Sequence, residues 1–368
     1  MGGKYNIAVI PGDGVGPEII KECKKVLKCV SDINGIVFHT KDFPWGCDYY
    51  LQNGRMLDKN AYSILKDFDA ILMGAVGDPR VPDHISVRLV IDIRFTFDQY
   101  INLRPILRFK EAPVFIKGLE SQELNFFVVR ENTEGEYVNA GGRFKRGTPD
   151  EVAIQTSIFT RKGTERVIHY SFELAEKIKR LGKKEQVSVT NCTKSNALAY
   201  SMVFWDEVFD KVASKFPDIV TKKTLVDALT MWLIKNPFDF DVIVASNLFG
   251  DIITDLASVL QGGMGFAAGG NINPEKEFPS MFESIHGSAP KYAGKGIINP
   301  IASILAVKMM LEHLGEFASA ELIEKGVASI INNGKVKTHD MGGNTTTSQV
   351  GDILCKEMHT MSQNNKIS

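Results

Sequence analysis

The stretch SNLFGDIITD places Asp251 and Asp255 four residues apart behind the strand-like run DVIVA. On a helix that spacing puts both carboxylates on one face, within reach of a single cation. Hard divalent cations such as Mg²⁺ and Mn²⁺ prefer oxygen ligands, so the pair can supply part of an octahedral site that water and substrate oxygens complete. An i,i+4 acidic pair is usually just a solvated helix face, and the spacing alone leaves both readings open. A second polar cluster follows the apolar run FFVV, where Arg130, Glu131, Glu134, Glu136 and Tyr137 crowd the segment RENTEGEY. Loops at the carboxyl ends of strands are where open α/β sheets bind ligands. Arg94 and Arg104, on either side of FDQYIN, add two guanidiniums suited to a bidentate grip on carboxylates. Taken singly, each arginine is more often a surface or salt-bridge residue than a substrate ligand.

These groups need a scaffold, and the sequence reads as a mainly parallel α/β sheet, with short apolar runs bounded by turns alternating with segments of helical period. The strand-like runs are Tyr5 to Ile10, Asp69 to Met73, Leu124 to Arg130, Gln186 to Thr190 and Asp241 to Ala245; the helical ones include Pro17 to Val30, Arg161 to Leu181, Phe204 to Phe216, Ile301 to Leu314 and Glu321 to Asn332. Glycine pairs at Gly141-Gly142 and Gly342-Gly343, and the run from Gly262 to Gly270, read as loops. The segment PGDGVGPE resembles a dinucleotide-binding turn, but Pro17 stands where GxGxxG needs its third glycine. A tight strand-to-helix turn with proline in the first helical turn is the plainer reading.

A chain of 368 residues is long enough for two packed lobes. A net charge of −1 supplies no global basic field for nucleic acid or an anionic membrane, which favours a small-molecule partner. The five cysteines are scattered, odd in number and without CxxC spacing, so they read as reduced thiols in a cytoplasmic enzyme. No apolar run is of bilayer-spanning length, and no signal-peptide core precedes the first strand.

Seven segments, IPGDGVGPE, GAVG, NLRP, RENTEGEY, TKSN, SNLFGDIITD and HGSAPKYAGKGIINP, occur in an order that resembles the β-decarboxylating dehydrogenases, the family of isocitrate and 3-isopropylmalate dehydrogenases. Within it, FPWGCDYY, VPDHIS, FDQYINLRP and FWDEVFD are most similar to the tartrate and D-malate branch. The resemblance implies an isocitrate/isopropylmalate dehydrogenase-like α/β fold rather than a Rossmann fold, with two α/β lobes and a cleft between them. It implies a large cofactor-binding domain of residues 1–100 plus 250–368, and a small domain of residues 101–249 carrying substrate residues and the interface of a homodimer.

The resemblance also implies roles. Mg²⁺ or Mn²⁺ is held by Asp251 and Asp255 and, from the neighbouring subunit, by Asp227. Arg94, Arg104 and Arg130 clamp the departing carboxylate, Lys194 takes the substrate hydroxyl proton, and Tyr137 protonates carbon after CO₂ is lost. Because Lys194 and Asp227 serve the partner's site in this family, the active unit is expected to be a homodimer with composite sites. NAD⁺ or NADP⁺ is expected at His286, Gly287, Lys291, Tyr292 and Asn299. Related NAD enzymes carry an acidic residue after HGSAP, where this chain has Lys291 and Tyr292. Lysine attracts a 2′-phosphate, so NADP⁺ is expected to serve at least as well as NAD⁺, although THDMGGNTTTSQVG lacks the tyrosine and arginine that NADP-dependent isocitrate dehydrogenases add there. The other reading of Lys291 is a side chain pointing into solvent. The expected activity is oxidative decarboxylation of a 2-hydroxy dicarboxylic acid of the D-malate or tartrate type. 3-Isopropylmalate dehydrogenase and a catalytically silent binding module are the alternatives. Isocitrate is disfavoured because VRLVIDIR offers Arg88 and Val90 where isocitrate enzymes present serine and asparagine.

Overall fold

The computed structural model describes residues 3–119, 124–182 and 184–364. They form two compact units, Met1–Gln99 with Leu107–Glu123 and Ser258–Ser368, and Tyr100–Ile106 with Leu124–Ala257. Twelve strands lie among the described residues: β1 (Lys4–Gly12), β2 (Val37–Asp42), β3 (Ala70–Ala75), β4 (Ile101–Leu107), β5 (Asn125–Glu131), β6 (Gly135–Phe144), β7 (Val152–Ile158), β8 (Ser188–Thr193), β9 (Val220–Leu225), β10 (Val242–Ala245), β11 (Ala268–Ile272) and β12 (Ser280–Ser284).

In the first unit the strand neighbours run β2-β1-β3-β12-β11, parallel except for the β11/β12 pair. In the second they run β4-β5-β10-β8-β9, with β6 and β7 forming a separate antiparallel ribbon. Every residue of β3, β8 and β10 is buried. Strands covered on both faces read as continuous apolar runs, which is why AILMGA and VIVA stand out in the sequence.

The first helix, Gly16–Asn34, shows how the local sequence sets an element. Pro17 sits in its first turn, Gly35 ends it at φ +70°, and its buried face carries Ile19, Cys23, Val26 and Val30 at helical spacing. The helix Arg161–Arg180 is capped by the Thr160 hydroxyl, which accepts from the Gly163 amide at 3.0 Å, and its last turn holds Lys177, Lys179 and Arg180 against the negative end of the helix dipole. In the first unit a cluster of buried side chains, among them Ile10, Trp45, Met73, Leu89, Val90, Phe97 and Met281, forms the apolar floor beneath these strands.

The structure corrects two readings of glycine. Gly141 and Gly142 lie within β6, paired with Gln155 and Ile154 of β7, and Gly269 and Gly270 lie within β11. Both strands pair closely with a neighbour, a long-range contact that local composition does not signal. PGDGVGPE forms the turn from β1 into the first helix, with Gly12 at φ +69°. In that turn the Asp13 carboxylate accepts the amides of Cys47 at 2.7 Å and Gly77 at 2.9 Å, tying β1, the helix Cys47–Asn53 and the loop after β3 together.

A side chain at Gly12 meets two obstacles, a left-handed backbone and a Cβ that would lie 2.0 Å from the Ala75 carbonyl oxygen. Gly54 has nearly the same φ, +67°, with open space around it. Gly54→Ala is therefore expected to cost about 1 kcal/mol, the conformational penalty alone. Gly12→Ala should cost well beyond that, because β1 and β3 must part. Urea unfolding of the two variants checks this, and equal costs would contradict it.

Candidate active site

The second unit assembles its polar site from strand ends. Parallel pairing of β10 with β5 sets Ala245 opposite Arg130, so the helix Asn247–Leu260 begins beside the Arg130 side chain. Asn247, at the start of that helix, accepts through Oδ1 from Nε (3.1 Å) and Nη2 (2.7 Å) of Arg130 and donates to the Glu134 carbonyl oxygen at 3.1 Å. This bidentate hold leaves Arg130 Nη1 to donate to Asp251 Oδ1 at 2.5 Å. Arg104, on β4, donates to Asn102 at 2.7 Å and to the Thr254 hydroxyl at 2.6 Å, and faces Asp251 at 3.4 Å and Asp255 at 3.6 Å. Tyr137, on β6, donates to Asp251 Oδ2 at 3.0 Å, with the Arg130 guanidinium 5.4 Å from its ring centre.

Five of the expected residues thus converge: Arg104, Arg130, Tyr137, Asp251 and Asp255. The guanidiniums are buried, at 5% and 1% exposure, while the carboxylates stay within reach of solvent. Burial holds the Asp255 carboxyl above its usual range, the negative charge of Asp251 adds to this, and Arg104 and Arg130 pull the other way. Two hard oxygen donors that repel one another across a partly open face fit a divalent cation. Among the described residues no three His, Cys, Asp or Glu side chains are grouped to hold a metal, so Asp227 does not join Asp251 and Asp255 within the chain.

Asp227 instead pairs with Lys194. The Lys194 ammonium, just past β8, donates to Asp227 Oδ1 at 2.9 Å and holds that carboxyl below its usual range. Asp227 lies in the first turn of the helix Val226–Lys235, which also bears the exposed apolar side chains Met231, Trp232 and Ile234. Arg94 belongs to the first unit, on the helix Arg88–Thr96, and donates to Glu283 of β12 at 2.9 Å.

Four of the five expected cofactor residues, His286, Gly287, Tyr292 and Asn299, line a cavity of about 550 Å³ in the first unit, whose wall also includes Val15 and Asp340. His286 Nε2 is shut from solvent without a hydrogen-bond partner, and burial lowers the pKa of the ring. Asn299 donates to Asp340 at 3.1 Å and accepts from the Ile301 amide at 3.0 Å. An imidazole nitrogen without a partner, a fixed carboxamide and the apolar side chains Val15, Ile297 and Ile298 fit a nucleotide base. Lys291 is exposed and outside the wall, with its ammonium 4.8 Å from the Tyr292 ring centre, and Lys295 stands 5.7 Å from the same ring.

Sequence reasoning did not single out Asn247, Thr254, Lys295 or Asp340. Asn247 carried a signal, an asparagine opening a helix, but its hold on Arg130 comes from strand pairing. Glu131 was noted only as one of several acids, yet it organises the turn that delivers Tyr137. Its buried carboxylate accepts the Thr133 amide (2.8 Å), the Thr133 hydroxyl (3.0 Å) and the Glu134 amide (2.8 Å).

Residues 6–354 match the family model described as isocitrate/isopropylmalate dehydrogenase. The chain belongs to that family. A probable tartrate dehydrogenase/decarboxylase of Bacillus subtilis is 44% identical over 361 residues, covering 97% of this chain and 99% of that protein. A D-malate dehydrogenase [decarboxylating] of Escherichia coli is 45% identical over 358 residues, covering 95% and 97%. The crystal structure of isocitrate dehydrogenase from Methylococcus capsulatus superposes with a TM-score of 0.85 at 32% identity, covering 96% of this chain and 99% of that one. The fold is that of this family, not a Rossmann fold, and the protein is a decarboxylating dehydrogenase, an oxidoreductase.

Burial pushes Glu131 up to about 7, against the opposing pull of the Thr133 and Glu134 amides. A carboxyl raised in the folded state holds its proton there while the unfolded chain has lost it, so it makes stability fall as pH rises from the unfolded value of 4.5 towards 7. Glu131→Gln should flatten that part of the stability profile. Urea unfolding at pH 5 and pH 8 tests it, and an unchanged slope would show that Glu131 is not the group responsible.

Proposed function

We propose that this enzyme carries out metal-dependent oxidative decarboxylation of a 2-hydroxy dicarboxylic acid of the D-malate or tartrate type, with hydride transfer to NAD⁺ or NADP⁺. The observation that supports it most is Asp251 at the focus of Arg104, Arg130 and Tyr137, with Asp255 one helical turn away. Arg104 and Arg130 offer fixed, buried positive charge for a substrate carboxylate, and Arg94 joins them in this role. Lys194 accepts the hydroxyl proton during oxidation, and Tyr137 gives its phenolic proton to the carbon that loses CO₂. Mg²⁺ or Mn²⁺, held by Asp251, Asp255 and the partner subunit's Asp227, supplies Lewis acidity at the substrate oxygens. NAD⁺ or NADP⁺, bound at His286, Gly287, Tyr292 and Asn299 with Lys291 beside them, supplies the hydride acceptor.

The working unit in this reading is a homodimer with composite sites. Exposed Met231, Trp232 and Ile234 beside Asp227, together with Tyr200 near Lys194, are the kind of apolar surface a second copy covers. The proposed compartment is the cytoplasm; no helix among the described residues is long and apolar enough to cross a membrane. Between D-malate and 3-isopropylmalate, packing favours the smaller acid. Val90 and Ile91 are buried, at 9% and 7% exposure, which leaves Val87 as the outward-facing member of that apolar trio.

Asp251→Asn should lower kcat/KM by more than about 100-fold in protein that keeps its circular dichroism, though with some loss of stability. One ligand charge is lost from a hard-ion site and from the two buried arginines. The assay is absorbance at the reduced-nicotinamide band with D-malate and saturating Mn²⁺; retained activity would overturn the site assignment.

A pocket that fitted an isopropyl branch would gain roughly 2 kcal/mol from burying it. Since the apolar wall is largely packed away, kcat/KM is expected to be higher for D-malate than for 3-isopropylmalate. The opposite order would move the protein to the isopropylmalate branch.

For the cofactor, NADP⁺ should serve at least as well as NAD⁺, since two ammonium groups flank Tyr292. Lys291→Asp should shift the kcat/KM ratio towards NAD⁺ by at least about tenfold. A strong NAD⁺ preference that survives the substitution unchanged would show that Lys291 does not read the ribose.

A further inference from the structure

Outside the polar site, two of the five cysteines meet between the helices Gly16–Asn34 and Thr347–Asn364, which pack against each other in the first unit. Cys29 and Cys355 are 326 positions apart, yet Cys29 Sγ lies 3.6 Å from the Cys355 carbonyl oxygen. Cys355 Sγ lies 3.8 Å from the carbonyl oxygen of Lys25, one turn before Cys29. Each thiol thus reaches across to the backbone of the opposing helix, and the influence of each on the other holds Cys29 below the ordinary thiol value and Cys355 above it. Cys29 is buried, whereas Cys355 is partly exposed and opens the pair to small solutes. The other three cysteines are buried.

Both helices hold the same segment of the nucleotide cavity. At the start of the first helix, the Glu18 carboxylate accepts the amides of Gly294 and Gly296. At the start of the last, the Thr347 amide donates to the Gly296 carbonyl oxygen at 2.9 Å, and the Thr347 hydroxyl donates to that of Ile298 at 2.7 Å. Ile297 and Ile298 line the cavity. Between these anchors and the thiols, the Lys25 ammonium bridges the helices, pairing with Glu22 at 2.5 Å and Asp352 at 2.7 Å.

We propose that Cys29 and Cys355 form a redox-sensitive pair that a peroxide closes to a disulfide, locking together the two helices that hold the cavity segment. The Cys29 thiolate attacks one peroxide oxygen, the O–O bond breaks, and hydroxide leaves to give a sulfenic acid. The Cys355 sulfur then attacks Cys29 Sγ, the S–S bond forms and the sulfenic oxygen departs as water. Two thiols and one hydrogen peroxide become one disulfide and two waters, the protein losing the two electrons that peroxide gains. Because thiol–disulfide exchange reverses the step, the lock is a switch rather than a lesion.

The coupling to the cavity rests on its reading as the nicotinamide-cofactor site; formation of the disulfide does not. The test treats the folded full chain with hydrogen peroxide and maps its peptides by mass spectrometry, in the wild type, Cys29→Ser and Cys355→Ser. The expected result is a Cys29–Cys355 cross-link, lighter by two hydrogens, that dithiothreitol removes and both variants lack. The cross-linked wild type should melt roughly 5 °C higher than the reduced protein. Absence of the cross-link in protein that keeps its circular dichroism, or pairing of Cys29 or Cys355 with a different cysteine in the wild type, would overturn the proposal. NADP⁺ titration by calorimetry reads the coupling: at least a twofold change in Kd on oxidation supports it, and an unchanged Kd with the cross-link formed overturns it. Failure of the reduced wild type to bind either nucleotide would count against the cofactor reading instead, leaving the cross-link result to stand by itself.

Discussion

A buried guanidinium cannot go unpaired, and the second unit buries two of them. Arg130 is 1% and Arg104 5% exposed, and Asp251 faces both. That demand explains the surrounding layout. The helix carrying Asp251 starts immediately after β10 because β10 lies beside β5, whose end bears Arg130. Asn247 and Thr254, on the same helix, and Asn102 on β4 take arginine donors that Asp251 does not, so the positive charges are satisfied while the outer carboxylate face remains open. The result is a rigid set of charges prepared before any ligand arrives, the arrangement that lets electrostatic stabilisation act without reorganisation. Breaking the Asp251 contacts would leave buried positive charge uncompensated, so this carboxylate contributes to stability whatever else it does.

Much of this was legible in the sequence, for reasons that differ by element. β3 and β10 are short apolar runs because both faces are buried, and Ile301–Leu314 stands out because ten of its residues are buried. β7 did not stand out, since all seven of its residues are exposed and no in-out alternation survives. β4 escaped because Asn102 and Arg104 interrupt its apolar residues, and those two are the residues the site uses. The i,i+4 pair Asp251 and Asp255 was visible as spacing, and the motif order carried the family. The Asn299–Asp340 contact spans 41 positions, and no local pattern announces it. Glu131 was visible as an acid but not as a buried one, and burial is what raises its pKa.

The two clusters of charge in the second unit differ in character. The Asp251 cluster is built around buried arginines with several supporting hydrogen bonds, whereas Lys194 and Asp227 form an exposed pair, 25% and 64% exposed at the side chain, on a surface rich in exposed apolar residues. Exposed ion pairs contribute little to stability, so the fold alone gives no reason to keep this one. The role proposed for it in a neighbouring copy's site would give it a reason, and would also give one for the exposed apolar side chains beside it.

That account turns on whether one active site draws its groups from two chains, and subunit mixing measures it directly. Lys194→Ala and Tyr137→Phe homodimers should each be inactive, because every site lacks one proton-transfer group. After exchange of subunits, demonstrated by mass-tagged chains, heterodimers should hold one site with both groups intact, and activity should return towards half the wild-type value per heterodimer. Full exchange with no return of activity would contradict the composite site and place Lys194 and Tyr137 in the same chain's chemistry.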